Sequence, residues 1–146
     1  MKNKSKFILM ITSIIIILSL GYNVYQKNRI NNFEKELLFN VRNNLQRFAS
    51  YGGNIESQSL YAEQYASIVT AQESYILLRN SNEIDSDEWE YSLQGLFIVI
   101  KDTMLNDKEK FKEVFDEADV SKLIFKISDN FEDKDSINKV YKLLSN

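Results

Sequence analysis

The chain has 146 residues, 44% of them apolar and 27% charged, with a formal net charge of −3. That balance excludes a disordered tail, which could not bury a core, and a protein made wholly of membrane spans, which could not carry so many charges. The absence of Cys, His and Pro removes disulfides, thiolate and imidazole metal sites, and nucleophilic catalysis of the Ser-His-Asp or Cys-His type.

Lys2, Lys4 and Lys6 open the chain, and twenty residues without a charge, 7–26, follow them. Apolar residues there surround the helix axis instead of forming one stripe. At about 1.5 Å per residue the run is long enough for a hydrocarbon core of about 30 Å. We read 7–26 as a transmembrane signal-anchor helix, with Tyr22 and Tyr25 at the membrane interface, where their rings are most stable. A cleavable signal peptide is the alternative, with Ser19 and Gly21 at the −3 and −1 sites; cleavage after Gly21 would release a secreted helical protein. The anchor is preferred because apolar and aromatic residues continue through Tyr22, Val24 and Tyr25 to Ile30. Lipid modification at Cys is excluded for want of one. Basic residues crowd the N-terminal flank, whereas Lys27, Arg29, Lys35 and Arg42 are diluted by Glu34 and Glu36. This predicts residues 1–6 inside the cytoplasm and 27–146 outside it.

All 21 acidic residues follow Arg29, and with the remaining 15 basic ones they leave residues 27–146 at −6. Such a surface repels phosphate backbones, so no nucleic-acid partner is expected. The locally basic stretch 108–112 is interleaved with Glu109 and Glu113 and reads as a mixed, solvated helix face. About 120 residues support one domain with a modest core.

That domain is predicted to be an all-α antiparallel bundle of about four to six helices, entered directly from the transmembrane helix. Ile30, Phe33, Leu37, Val41, Leu45 and Phe48 are spaced by three and four, which places them on one helix face. Tyr51, Gly52 and Gly53 should end that helix and reverse the chain. A second helix is predicted over 54–79, with Tyr61, Tyr65, Ile68 and Tyr75 on one face and Ala62, Ala66, Val69, Ala71, Ile76 and Leu78 widening it. Asn80 to Ile84 reads as a loop. Asp85 and Glu88 then form a capping pair for a third helix burying Trp89, Leu93, Leu96, Phe97, Ile100 and Met104. The β-branched stretch 96–100 would also suit a strand, but the helical spacing on both sides favours helix. Asn106 and Asp107 open a short helix with Phe111, Val114 and Phe115 inward. Asp119 is predicted to cap a fifth helix, burying Val120, Leu123, Ile124 and Ile127 and closed by Phe131. After a polar turn at 132–135, Ser136 begins the last, with Ile137, Val140, Tyr141 and Leu144.

The acidic clusters 83–90 and 129–135 invite a calcium reading. The second, however, has Phe131 where an EF-hand loop needs an oxygen ligand, no glycine at the sixth position and no glutamate at the twelfth. Carboxylates such as Glu73, Glu88 and Asp102 could in principle act as an acid and base pair, yet nothing selects two from 21. No glycine-based phosphate cradle exists. We therefore expect no catalytic, cofactor-binding or metal-binding residues, and no enzyme.

The function these residues predict is a single-pass membrane protein presenting a helical, non-enzymatic interaction module to an envelope protein partner. Candidate contacts are the Tyr61, Tyr65 and Tyr75 face and the membrane-proximal stripe at Phe33 and Leu37, which would also serve a homo-oligomer. The alternative from another class is a ligand-sensing bundle outside the cytoplasm that works through a partner protein. No motif assigns the chain to a family.

Overall fold

The structure, a computed structural model, describes residues 2–81 and 92–145, without the side chains of residues 2–6, 8, 9, 81 and 118. The described residues form α1 (Lys2–Ser50), α2 (Gln58–Ser81), α3 (Leu93–Asn106), α4 (Lys108–Asp116), α5 (Ala118–Asp129) and α6 (Lys134–Ser145), and none of them is in a strand. The all-helical class is as predicted. By its internal contacts the chain divides into two units, Met1–Glu36 and Leu37–Asn146.

In the first unit the apolar side chains of α1 have no cover: Ile14, Ile15, Ile16, Ile17 and Leu18 are between 49% and 67% exposed. Among the described residues no helix is long and apolar enough to cross a membrane. Two members of the uncharged run, Ile8 and Leu9, are among the side chains not described. Ile30 and Phe33, predicted on the core face, are 54% and 50% exposed.

The second unit has one continuous core. Leu45, Phe48, Ile68, Leu96, Phe97, Ile100, Met104, Phe111, Ile124, Ile127 and Val140 lie within it, each fully buried. The 96–100 stretch is helical, and its inward residues are the predicted ones, Leu93, Leu96, Phe97, Ile100 and Met104. Its predicted entry, Asp85 to Trp89, lies outside the described residues. The described helix is capped by Ser92, whose hydroxyl accepts from the Gly95 N–H at 3.1 Å, satisfying one of the donors that a helix start leaves unpaired.

Phe48 organises the end of the bundle where α1 stops. Its ring meets Phe115 edge-on at 5.1 Å between centroids and Phe111 at 6.1 Å, while Phe111 and Phe115 stack at 4.7 Å. Such pairs add about 0.5–1.5 kcal/mol each to the burial they accompany. Immediately beyond, Gly52 takes φ +59°, the left-handed conformation that ends many helices and that a Cβ disfavours. Gly53 serves a different purpose. A Cβ on it would stand 2.5 Å from the Lys112 carbonyl oxygen and 2.9 Å from the Asp116 nitrogen, so the turn lies directly on the backbone of α4.

Four predicted boundaries need correction, two of them because a side chain captures a backbone group that periodicity does not see. The α2 helix starts at Gln58, not 54, because Asn54 Oδ1 accepts from the Ser57 N–H and the Ser57 hydroxyl accepts from the Leu60 N–H. At its other end Asn80, predicted in a loop, is helical. In α5 the capping position belongs to Glu117, which makes no side-chain cap bond; Asp119 sits in the first turn, paired with Lys122 at 2.9 Å. Asp133 caps α6 ahead of the predicted Ser136, accepting both the N–H and the hydroxyl of that serine.

The buried face of α2 also differs. Ala62 and Ala66 are exposed, while Gln64, Ser67, Gln72 and Ser74 are buried beside Ile68, Ala71 and Leu78. Two of these polar groups have internal partners: the Ser67 hydroxyl donates to the Glu63 carbonyl, and Gln64 Nε2 donates to the carbonyls of Phe48 at 3.0 Å and Gly52 at 2.7 Å. Gln64 thereby ties α2 to the last turn of α1 and to the reversal beyond it.

Phe48→Ala should cost about 3–5 kcal/mol, much of the stability of an ordinary domain, whereas Phe39→Ala, at a side chain 61% exposed, should stay within about 0.5 kcal/mol of the parent. Denaturant titrations of the full chain, followed by helical circular dichroism, measure both. Gly53→Ala should lower the same midpoint by about 1–3 kcal/mol, because backbone must move to admit the methyl group.

Candidate interaction surfaces

The three tyrosines singled out on α2 are half-buried and packed against the core. Tyr61 is edge-on to Phe111 at 5.7 Å, its hydroxyl donates to the Met104 carbonyl, and the Lys108 ammonium lies 5.2 Å from its ring. Tyr75 stands between Phe97 and Phe131, 6.0 and 6.2 Å away. Burial pushes the phenol pKa of both Tyr61 and Tyr75 up from the ordinary value; at Tyr75 Glu132 adds to the rise and Arg79 opposes it. Their rings therefore tie α2 to α3, α4 and the turn before α6.

Of the α1 pair singled out, Leu37 is 5% exposed and belongs to the core of its unit, while Phe33 is half exposed. Phe33 and Ile30 are thus large apolar side chains with no cover in their own unit. Exposed apolar groups in the second unit include Phe39, Leu77, Ile98 and Leu105, at 61%, 51%, 43% and 62%. Ile98 and Leu105 share a face of α3 at a spacing of seven. Neither lies on the inward spacing that identifies the helix, so periodicity does not single them out.

The ion pairs given by the described residues of the second unit lie at its surface. Arg47 Nη2 donates to Glu63 Oε2 at 2.9 Å, the Tyr51 hydroxyl donates to the same oxygen at 2.9 Å, and Arg47 Nε donates to the Tyr51 oxygen at 3.0 Å, closing a ring of three. The Tyr51 and Arg47 bonds hold Glu63 below its usual carboxylate range, and those to Tyr51 and Glu63 raise Arg47. Asp119 and Asp133 are likewise lowered, by Lys122 and Ser136. Each of the three carboxylate shifts favours the ionised form, the stronger hydrogen-bond acceptor.

A shallow cleft of about 440 Å³ beside the turn is walled by Phe115, Phe125, Asp116, Ser121 and Lys122. No group of three metal-ligating side chains occurs among the described residues. The 83–90 cluster lies outside them. In the 129–135 segment, Asp129 lies 3.8 Å from Arg42 Nε, and Asp133 is spent on its cap.

Because unfolded tyrosine ionises near pH 10 while Tyr61 and Tyr75 resist ionisation in place, stability should be complete below that pH and fall as pH rises above it. The slope is at most about 1.4 kcal/mol per pH unit for each ring. Tyr75→Phe should flatten it, as read from urea midpoints between pH 9 and 11. At the acid end the lowered Glu63, Asp119 and Asp133 reverse the sign: their contribution is present above the usual carboxylate range and is lost as pH falls through it.

Comparison of the chain with protein-family models, with curated proteins and with solved structures returns no match.

Proposed function

We propose that the protein is a single-pass membrane protein whose helical unit stands outside the cytoplasm as a non-enzymatic interaction module. Its protein contact runs through the membrane-proximal stripe of α1. The observation that carries this reading is the uncharged run at 7–26, set in a helix whose isoleucines are uncovered on every side. In water that arrangement leaves a band of hydrocarbon unsatisfied; in a bilayer it costs nothing, and the helix meets all its own backbone hydrogen bonds.

Lys2, Lys4 and Lys6 ahead of the run supply the orientation. Tyr22, Tyr25 and Arg29 cluster where it ends, and amphipathic rings beside a basic group suit a headgroup region. For the contact, the tyrosine face of α2 is occupied by its own bundle, which leaves Ile30 and Phe33 as the better surface. The lack of any His or Cys favours binding over catalysis.

The full chain should remain in the membrane pellet through alkaline carbonate washing and leave it only with detergent. Protease added to intact spheroplasts should reach the C-terminal unit. Ile16→Lys places a charge mid-span at a cost of roughly 2.5–3.5 kcal/mol in insertion and should move much of the protein to the soluble fraction. Wild-type protein free in the medium, or recovered in the carbonate wash, would overturn the reading.

A further inference from the structure

Two rows on α1 recur at steps of seven: Ile16, Asn23 and Ile30, and Ser19, Gln26 and Phe33. On a helix of 3.6 residues per turn all six fall within about 100° of arc, the a and d pattern of a helix seam. Every one is exposed. The face changes character along its length: it carries Ser19, Asn23 and Gln26 in the second half of the uncharged run, and Ile30 and Phe33 where charged residues begin. Pairing along this face would cover the apolar side chains and let the polar ones bond across it.

We infer that α1 pairs, parallel and in register, with α1 of a second copy of this chain through these two rows. This rests on the membrane reading above and names the partner of the stripe proposed there. Three features select a second copy. Two chains inserted in the same direction hold each residue at the same depth, so Asn23 meets Asn23 and the polar part of one face meets the polar part of the other. In lipid, helix pairs are held by small and hydrogen-bonding side chains, and an Asn at an a position specifies register. Finally, Arg29 and Glu34 border the rows at g and e, and in a parallel pair each Arg29 faces the Glu34 of its partner. An antiparallel pair would lose both the depth match and the charge match.

The native chain has no Cys, so a single introduced one reports on one position. In native membranes holding the full chain, Ile30→Cys should form a disulfide dimer under mild oxidation, since facing a positions approach the Cα separation of about 4.4–6.8 Å that a disulfide needs. Asn32→Cys, on the opposite side of the helix, should not. Adding Asn23→Leu, which makes the span more apolar, should still lower the Ile30→Cys dimer by roughly threefold to tenfold. Arg29→Glu should lower it as well, and Arg29→Glu with Glu34→Arg should restore it. Equal cross-linking at positions 30 and 32, or none at 30 in protein that stays in the carbonate-washed pellet, overturns the pairing and leaves the anchor standing. A chain recovered in the soluble fraction overturns both.

Discussion

The fold depends on how α1 is stopped. A helix of 49 residues would run past its own bundle unless something ended it and turned the chain back. Here the stop is made by packing. Phe48 locks into Phe111 and Phe115 of α4, Gly52 takes the left-handed conformation, and Gly53 lets the turn rest on the α4 backbone. With the reversal fixed, α2 returns along the core, and α3 to α6 fill the remaining faces. Remove the Phe48 ring and the reversal loses its anchor, although each helix keeps its own periodicity.

Much of this was legible because apolar spacing and caps are local signals. The inward residues of α3, α4 and α6 follow from a 3.6-residue period, and Asp107 announces α4 by accepting from the Lys110 N–H. The glycine pair announced the turn, but which glycine turns the chain and which admits a neighbour is decided by α4, far along the sequence. The buried face of α2 is hidden from hydropathy by hydrogen bonding. Gln64 and Ser67 look solvent-facing by hydropathy and are buried because their partners, the Phe48 and Glu63 carbonyls, are acceptors invisible to a residue-type scale. Asn54 and Asp133 shifted helix starts by bonds of the same kind.

The candidate surface was legible in part. Tyr61, Tyr65 and Tyr75 form a row in sequence, and a row of amphipathic rings suits a partner and a core equally. Only tertiary contacts assign Tyr61 to the Met104 carbonyl and Tyr75 to the Phe97 and Phe131 rings. The stripe that begins at Ile30 keeps its helical spacing throughout, yet core cover starts at Leu37. Periodicity states which face is apolar; it does not state how far along the helix something is there to meet it.

Two fastenings of opposite chemistry hold the reversal between α1 and α2. Inside, the amide of Gln64 grips two carbonyls and has no proton to gain or lose at any pH a cell meets. Outside, the ring of Arg47, Tyr51 and Glu63 is strongest while its carboxylate is charged. Acidification would therefore loosen the rim of the hairpin while its interior clasp stays shut, so the first sign of acid stress should be a freer Tyr51 beside an intact helix pair.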